Sequence, residues 1–371
     1  MDSRDVGCVS KAKMRIAWLD TLRGVGIILV VLGHLYVTEA RLTYIFSFHM
    51  PLFFFISGFF FNEGRYPNLY TALTRGLRTR IVPYLFFCAL SPVIIAVTDA
   101  WINGTGLLGE IAEEGTALFQ IERIYDVAYA TGERLEHIAN VPLWFLPCLF
   151  LTETAFTVLH KITRGERNKL LLALAVISVA AYAESVTVAT PLPWTLNGAL
   201  TGLVFYGCAF IIKEREVNGL VPAAKRTAAA VSMWAIAMVL SVSLAFLNGR
   251  VDMNTNRYGN YFLFYGAAAS GIAAYTAMAR MLPAARWLTY LGRNSMIIFG
   301  LHMPVATVVL AARNAALPSI LPLLASNKIT SFMSEDIVAV VCAASLFLVL
   351  IPCIFLINRY IPFVMGKKWR I

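Results

Sequence analysis

The chain has 371 residues, 59% of them hydrophobic and only 14% charged, with a mean hydropathy of +0.70. Soluble domains lie nearer half apolar and a quarter charged, so this balance excludes an ordinary soluble enzyme. The formal net charge of +10 would suit a nucleic-acid binder, but the basic residues are spread between apolar runs, and no nucleic-acid partner is expected.

Apolar runs of about twenty residues, the length that crosses a bilayer, recur along the chain. In order they predict helices near 17–37, 44–61, 81–98, 142–159, 170–189, 197–212, 228–247, 261–279, 294–312 and 337–357. All should be helical, because lipid offers the backbone no hydrogen-bond partner. The expected fold is all-α: a polytopic integral membrane bundle of about ten transmembrane helices, forming one membrane domain over 1–371.

The gaps between these runs alternate in charge. The N-terminal segment, 62–80, 160–169, 213–226, 280–293 and 358–371 each carry a basic excess. The others are close to neutral, except 99–141, which is strongly acidic. By the positive-inside rule both termini are cytoplasmic, with a short tail 1–15 inside and the acidic loop 99–141 outside. The first run lacks a small-residue cleavage site and is expected to stay as a helix. Within the loop, "LFQIERIYDVAYATGERLEHI" predicts either an amphipathic helix on the outer surface or a plain connection. The "NGT" at 103–105 is informative only in a glycosylating compartment.

Cys8, Cys88, Cys148, Cys208, Cys342 and Cys353 show no paired spacing, and five of them fall inside spans as small apolar side chains. No Cys/His pattern calls for a metal.

The spans contain ionisable residues that cost roughly 2.5–3.5 kcal/mol each to insert: Asp20, Arg23, His34, Glu153, Glu184 and His302, with His49 at the start of the second. Asp20 and Arg23 are spaced to meet on one helix face, as an interfacial ion pair or as part of a site. Arg23 and His34 are eleven apart. That separation is about 16 Å along a helix, with only about 20° of rotation. Both therefore project the same way, and one shared cavity explains this better than lipid exposure. His34 reads either as a hydrogen-bonded packing residue or as a proton acceptor near neutral pH.

"TRGLRTRIVPY" leads into the third run with Arg75, Arg78 and Arg80. These are either ordinary positive-inside charge or a phosphate clamp, since guanidinium forks match phosphate oxygens. Ser57-Gly58 allows close helix approach. Glu153 faces a cavity or pairs with an arginine or hydroxyl. "FHMP" at 48–51 and "LHMP" at 301–304 echo each other, each a histidine beside a proline that can distort a helix, but four residues are too few to claim a repeat.

Taken together, "LDTLRGVGIILVVLGH", "FHMPLFFFISGF", "RTRIVPY", "LWFLPCLFLTE" and "LGRNSMIIFGLHMPV" resemble the acyltransferase-3 family of membrane acyltransferases, in particular its fucose 4-O-acetylase-like branch. The resemblance implies a ten-helix domain that moves an acyl group, usually acetyl, from cytoplasmic acyl-CoA to a carbohydrate. The implied acceptor is a cell-surface glycan or its lipid-linked precursor, and the implied location is a bacterial inner membrane. It makes His34 the catalytic base and places Arg23, Arg78 and Arg80, with Arg75, at the acetyl-CoA site. Asp20 would orient Arg23, and Glu153 or His302 would bind acceptor hydroxyls. Some relatives carry a fused extracytoplasmic domain, and none is expected here. A direct transfer and a route through an acetyl-histidine both remain open, as does a succinyl or longer donor. The rival reading is a transporter or flippase, against which stands the lack of a convincing inverted repeat or paired broken helices.

Overall fold

The computed structural model describes residues 17–35, 38–104, 121–188, 190–217, 228–282, 285–325 and 335–367. The tail 1–15, Cys8, Thr105 of the "NGT" triplet, residues 106–120 of the acidic loop, most of 213–226 and the last four residues lie outside them.

Among the described residues, ten helical spans are long and apolar enough to cross a membrane. The protein is an all-α polytopic integral membrane protein, and the described residues contain no strand beyond one isolated bridge. The first span is α1, Ala17–His34. The second is broken in two, α2 Glu39–Phe46 and α3 His49–Phe59. The third begins earlier than its hydropathy predicts. Helix α4, Leu69–Gly76, runs through a π-helical turn at Leu77–Ile81 into α5, Val82–Asn103, so the arginine-rich segment is helix and not loop.

Two short helices follow, α6 Ile121–Tyr129 and α7 Gly132–Leu135. The remaining spans are α8 Phe145–Ile162, α9 Arg167–Thr187, α10 Leu196–Val217, α11 Ala228–Asn248 and α12 Tyr261–Met281. After the short α13, Arg286–Arg293, come α14, Ser295–Ala325, and α15, Glu335–Tyr360.

Burial separates centre from periphery. The spans at 141–162 and 193–214 are 72% buried, whereas that at 228–248 is only 11% buried. Leu172, Val176, Met233, Ile236 and Leu348 point outward, as lipid-facing side chains do. Lipid tails are as apolar as leucine, so the bundle is held by close packing more than by hydrophobic expulsion. Gly58 illustrates this: a Cβ there would collide with the Tyr206 carbonyl, so α3 and α10 touch backbone to backbone, as the Ser57-Gly58 pair predicts. Cys88, Cys148, Cys208, Cys342 and Cys353 are all free thiols.

Because successive spans alternate in direction, the connections sort to two ends. The basic end gathers 60–68, 163–166 and 285–294. The opposite end is capped by α6, α7 and the 249–260 loop. The segment 121–138 exposes Ile124 and Tyr125 on one side. It packs into the bundle, burying Leu135 and Ile138, and its Val127 and Ala128 carbonyls accept hydrogen bonds from Tyr84 Oη and Trp194 Nε1.

Candidate active site

Three cavities run in series through the bundle. At the basic end lies a vestibule of about 740 Å³, lined by Arg23, Arg65, Arg75, Arg80 and Lys213 together with Asp20, Glu153, Ser57 and Tyr66. Next comes a chamber of about 150 Å³ that shares Arg23, Ser57 and Arg80 with the vestibule and adds Phe53, Phe145, Arg293 and Phe299. Beyond it is a cavity of about 30 Å³ lined by His34, His49, Trp144, Asp252 and again Phe299.

Arg23 and His34 thus face different cavities of one series and not a single tunnel. The cause is aromatic packing. Phe299 meets Phe145 edge to face at 5.6 Å, and both are buried, so their rings fill the space between the chambers.

The vestibule is built by local chemistry. Arg80 leaves the π-helical turn pointing inward, and its Nη2 donates to Glu153 Oε1 at 2.6 Å. A wide turn in an otherwise regular helix commonly re-aims a functional side chain. Arg75 lies over the Tyr66 ring at 5.6 Å, and Arg23 over Phe60 at 4.4 Å. Tyr66 stacks on Phe61 at 5.2 Å, and Phe61 packs among Phe156, Tyr206 and Phe210. Burial, the main cause, and the nearby Glu153 charge both push the Tyr66 phenol pKa up. It therefore stays a neutral donor at the vestibule wall. Asp20 accepts from Arg293 Nε at 3.0 Å. Gly24, beside Arg23, lets α1 approach α13, since a Cβ there would strike the Leu288 carbonyl.

His34 Nδ1 lies 2.8 Å from the Val30 carbonyl. A carbonyl only accepts, so Nδ1 carries the proton and Nε2 of the neutral ring is the basic atom. His49 and His302 repeat the arrangement against the Ile45 and Phe299 carbonyls. The two echoes "FHMP" and "LHMP" meet here: His49 shares the cavity with His34, and the His302 ring stands edge-on to His34 at 5.1 Å.

Several expectations change. Arg78 is exposed and lies outside the vestibule lining, because the helix carries it to the face opposite Arg80. Glu153 sits in the vestibule against Arg80 and lines a different cavity from His34. His302 is 1% exposed and backs the His34 ring, outside the lining of its cavity. Glu184 faces no central cavity. Its Oε1 and Oε2 accept from Asn197 and Asn256, tying α9 to the start of α10 and to the 249–260 loop at the end opposite the vestibule.

Sequence reading missed Arg65, Lys213 and Asp252. The first two looked like ordinary charge at helix ends. Asp252 sits in a turn-rich loop whose composition signals a tight turn, not where the turn goes. Among the described residues no group of three or more His, Cys, Asp or Glu side chains is arranged to hold a metal.

Candidate spans packed around a cationic vestibule, with an imidazole in a deeper cavity, define an integral membrane protein with an internal candidate site. Residues 16–359 match the acyltransferase domain family. The chain belongs to this family and is a membrane acyltransferase. No curated protein and no solved structure gives a match.

Proposed function

We propose that the protein is an O-acetyltransferase that takes acetyl from cytoplasmic acetyl-CoA and delivers it to a hydroxyl of a cell-surface polysaccharide or its lipid-linked precursor, from a bacterial inner membrane. The basic end faces the cytoplasm in this reading, with both termini there.

The observation that carries the proposal is the order of the cavities. A vestibule with five cationic side chains suits the phosphates of CoA, which guanidinium groups bind by paired, charge-assisted hydrogen bonds. In this reading the pantetheine arm extends through the middle chamber and past Phe299, whose ring must turn aside to admit it. The last cavity, about 30 Å³, has room for about two water-sized groups. That volume suits an acetyl group and disfavours succinyl or longer chains.

The chemistry follows from the His34 tautomer. Nε2 takes the proton from the acceptor hydroxyl as its oxygen attacks the thioester carbonyl carbon. The tetrahedral intermediate collapses, the carbon–sulfur bond breaks, and the CoA sulfur leaves with the proton held on Nε2. The ester remains on the acceptor, and His34 returns to its starting state.

The test is label transfer from radiolabelled acetyl-CoA to a glycan acceptor by purified protein without any membrane gradient. Stable ester on the glycan is expected. Absence of both label transfer and acetyl-CoA turnover contradicts the proposal.

A further inference from the structure

The loop 249–260 brings a carboxylate to His34 from the side away from the vestibule. Asp252 and Arg257 pair backbone to backbone, with both N–O distances 2.8 Å. Val251, Met253 and Tyr258 are buried at the head of the bundle. Three asparagines fix the loop: Asn254 Oδ1 accepts from Gly132 N, Asn256 Nδ2 donates to Glu184, and Asn248 Nδ2 donates to the Tyr258 carbonyl. Burial and side-chain ties on both flanks hold the position of Asp252. Asp252 is only partly buried and lines the same small cavity as His34 and His49. Its Oδ1 accepts from Asn254 N at 3.0 Å and Thr255 N at 3.4 Å.

We infer that Asp252 binds the acceptor, accepting a hydrogen bond from a hydroxyl next to the one that His34 deprotonates. The inference rests on the proposed transfer to a hydroxyl and specifies the substrate class: a neutral polyhydroxy compound with adjacent hydroxyls. A carboxylate beside the reacting oxygen favours a neighbouring O–H donor. It repels an acceptor unit bearing its own carboxylate or phosphate, since like charges brought together disfavour the wrong partner. A simple alcohol would leave the carboxylate without this partner.

The experiment uses the full chain in detergent, labelled acetyl-CoA, and three kinds of probe: neutral methyl glycosides, their monodeoxy counterparts lacking the adjacent hydroxyl, and the matching uronates. Wild type is expected to prefer the intact neutral glycoside by about 10–100-fold in kcat/KM over the deoxy probe, the range for one hydrogen bond to a charged group. Asp252→Asn keeps an Oδ1 acceptor for the turn but removes the charge and turns the Oδ2 acceptor into an amide donor. It is expected to raise acceptor KM, leave donor KM in place and erase most of the preference. Deoxy probe and variant together should lose little more than either alone.

The wild-type comparison needs no variant to fold. The inference is overturned if wild type uses deoxy or uronate probes as well as the intact glycoside. It is also overturned if Asp252→Asn keeps the preference, or if its loss lies in kcat alone. Acetyl-CoA hydrolysis without transfer to any glycoside defeats this inference and spares the donor half of the proposed function. No turnover of acetyl-CoA at all defeats both.

Discussion

Arg80 reaches Glu153 across the vestibule at 2.6 Å, from a π-helical turn in one span to the middle of another. Both side chains are largely withdrawn from water, so each charge depends on the other. Removing one partner of such a pair costs about 3–5 kcal/mol, mostly from the charge left behind. Glu153→Ala is therefore expected to lower thermal stability in detergent strongly, and Glu153→Gln less so. Equal melting temperatures for Glu153→Ala and wild type would show that the pair does not matter to the fold.

The same pair bears on donor binding. Arg80 lines both the vestibule and the middle chamber, whereas Arg78 lines neither. Arg80→Lys is expected to raise donor KM at least about tenfold, because a lysine lacks the bidentate fork. Arg78→Ala should change it less than about threefold, as exposed charges do. Reversal of that ranking in steady-state kinetics would contradict the placement.

Phe299 borders the chamber on either side of the constriction. Phe299→Ala should therefore relax acyl selectivity. The ratio of butyryl to acetyl transfer is expected to rise at least about tenfold, in line with what one or two methylenes are worth in a tight pocket. An unchanged ratio would mean that chain length is set elsewhere.

Asp126, in α6, is buried, which by itself raises its pKa. Hydrogen bonds from His137 Nδ1 and Arg134 Nη1 outweigh that and hold the carboxyl below the usual carboxylate range. A depressed folded-state pKa stabilises fully above the unfolded value, about 3.9, and that stabilisation is lost as pH falls through the folded value. Pepsin nicking within 121–138 should thus switch on only below about pH 4. Asp126→Asn should be nicked already above it, and identical profiles for the two proteins would refute the argument.

Much of the fold was legible because lipid imposes one solution: apolar runs become helices, and their number and order survive in the structure. The third span was misjudged at its start, since hydropathy does not register a helix that continues into charged residues 69–80. Helix spacing predicts that Arg23 and His34 share one cavity, and the structure places them in two. The division between their cavities was not readable, because it depends on Phe145 and Phe299 meeting from different spans. Asp252 was hidden for a related reason: a loop's turn chemistry fixes its local shape, while its docking against Gly132 and Glu184 is a tertiary fact. Glu153 and Glu184 looked alike as buried acids, and only their partners separate a vestibule wall from a loop clamp.

The account turns on Nε2 of His34, and the direct measurement is acetyl transfer by His34→Gln beside acetyl-CoA binding by the same preparation. Removal of a general base is expected to lower kcat by about 10²–10⁴-fold, while acetyl-CoA affinity stays within a few-fold of wild type because the vestibule is untouched. Transfer at close to the wild-type rate would contradict the account.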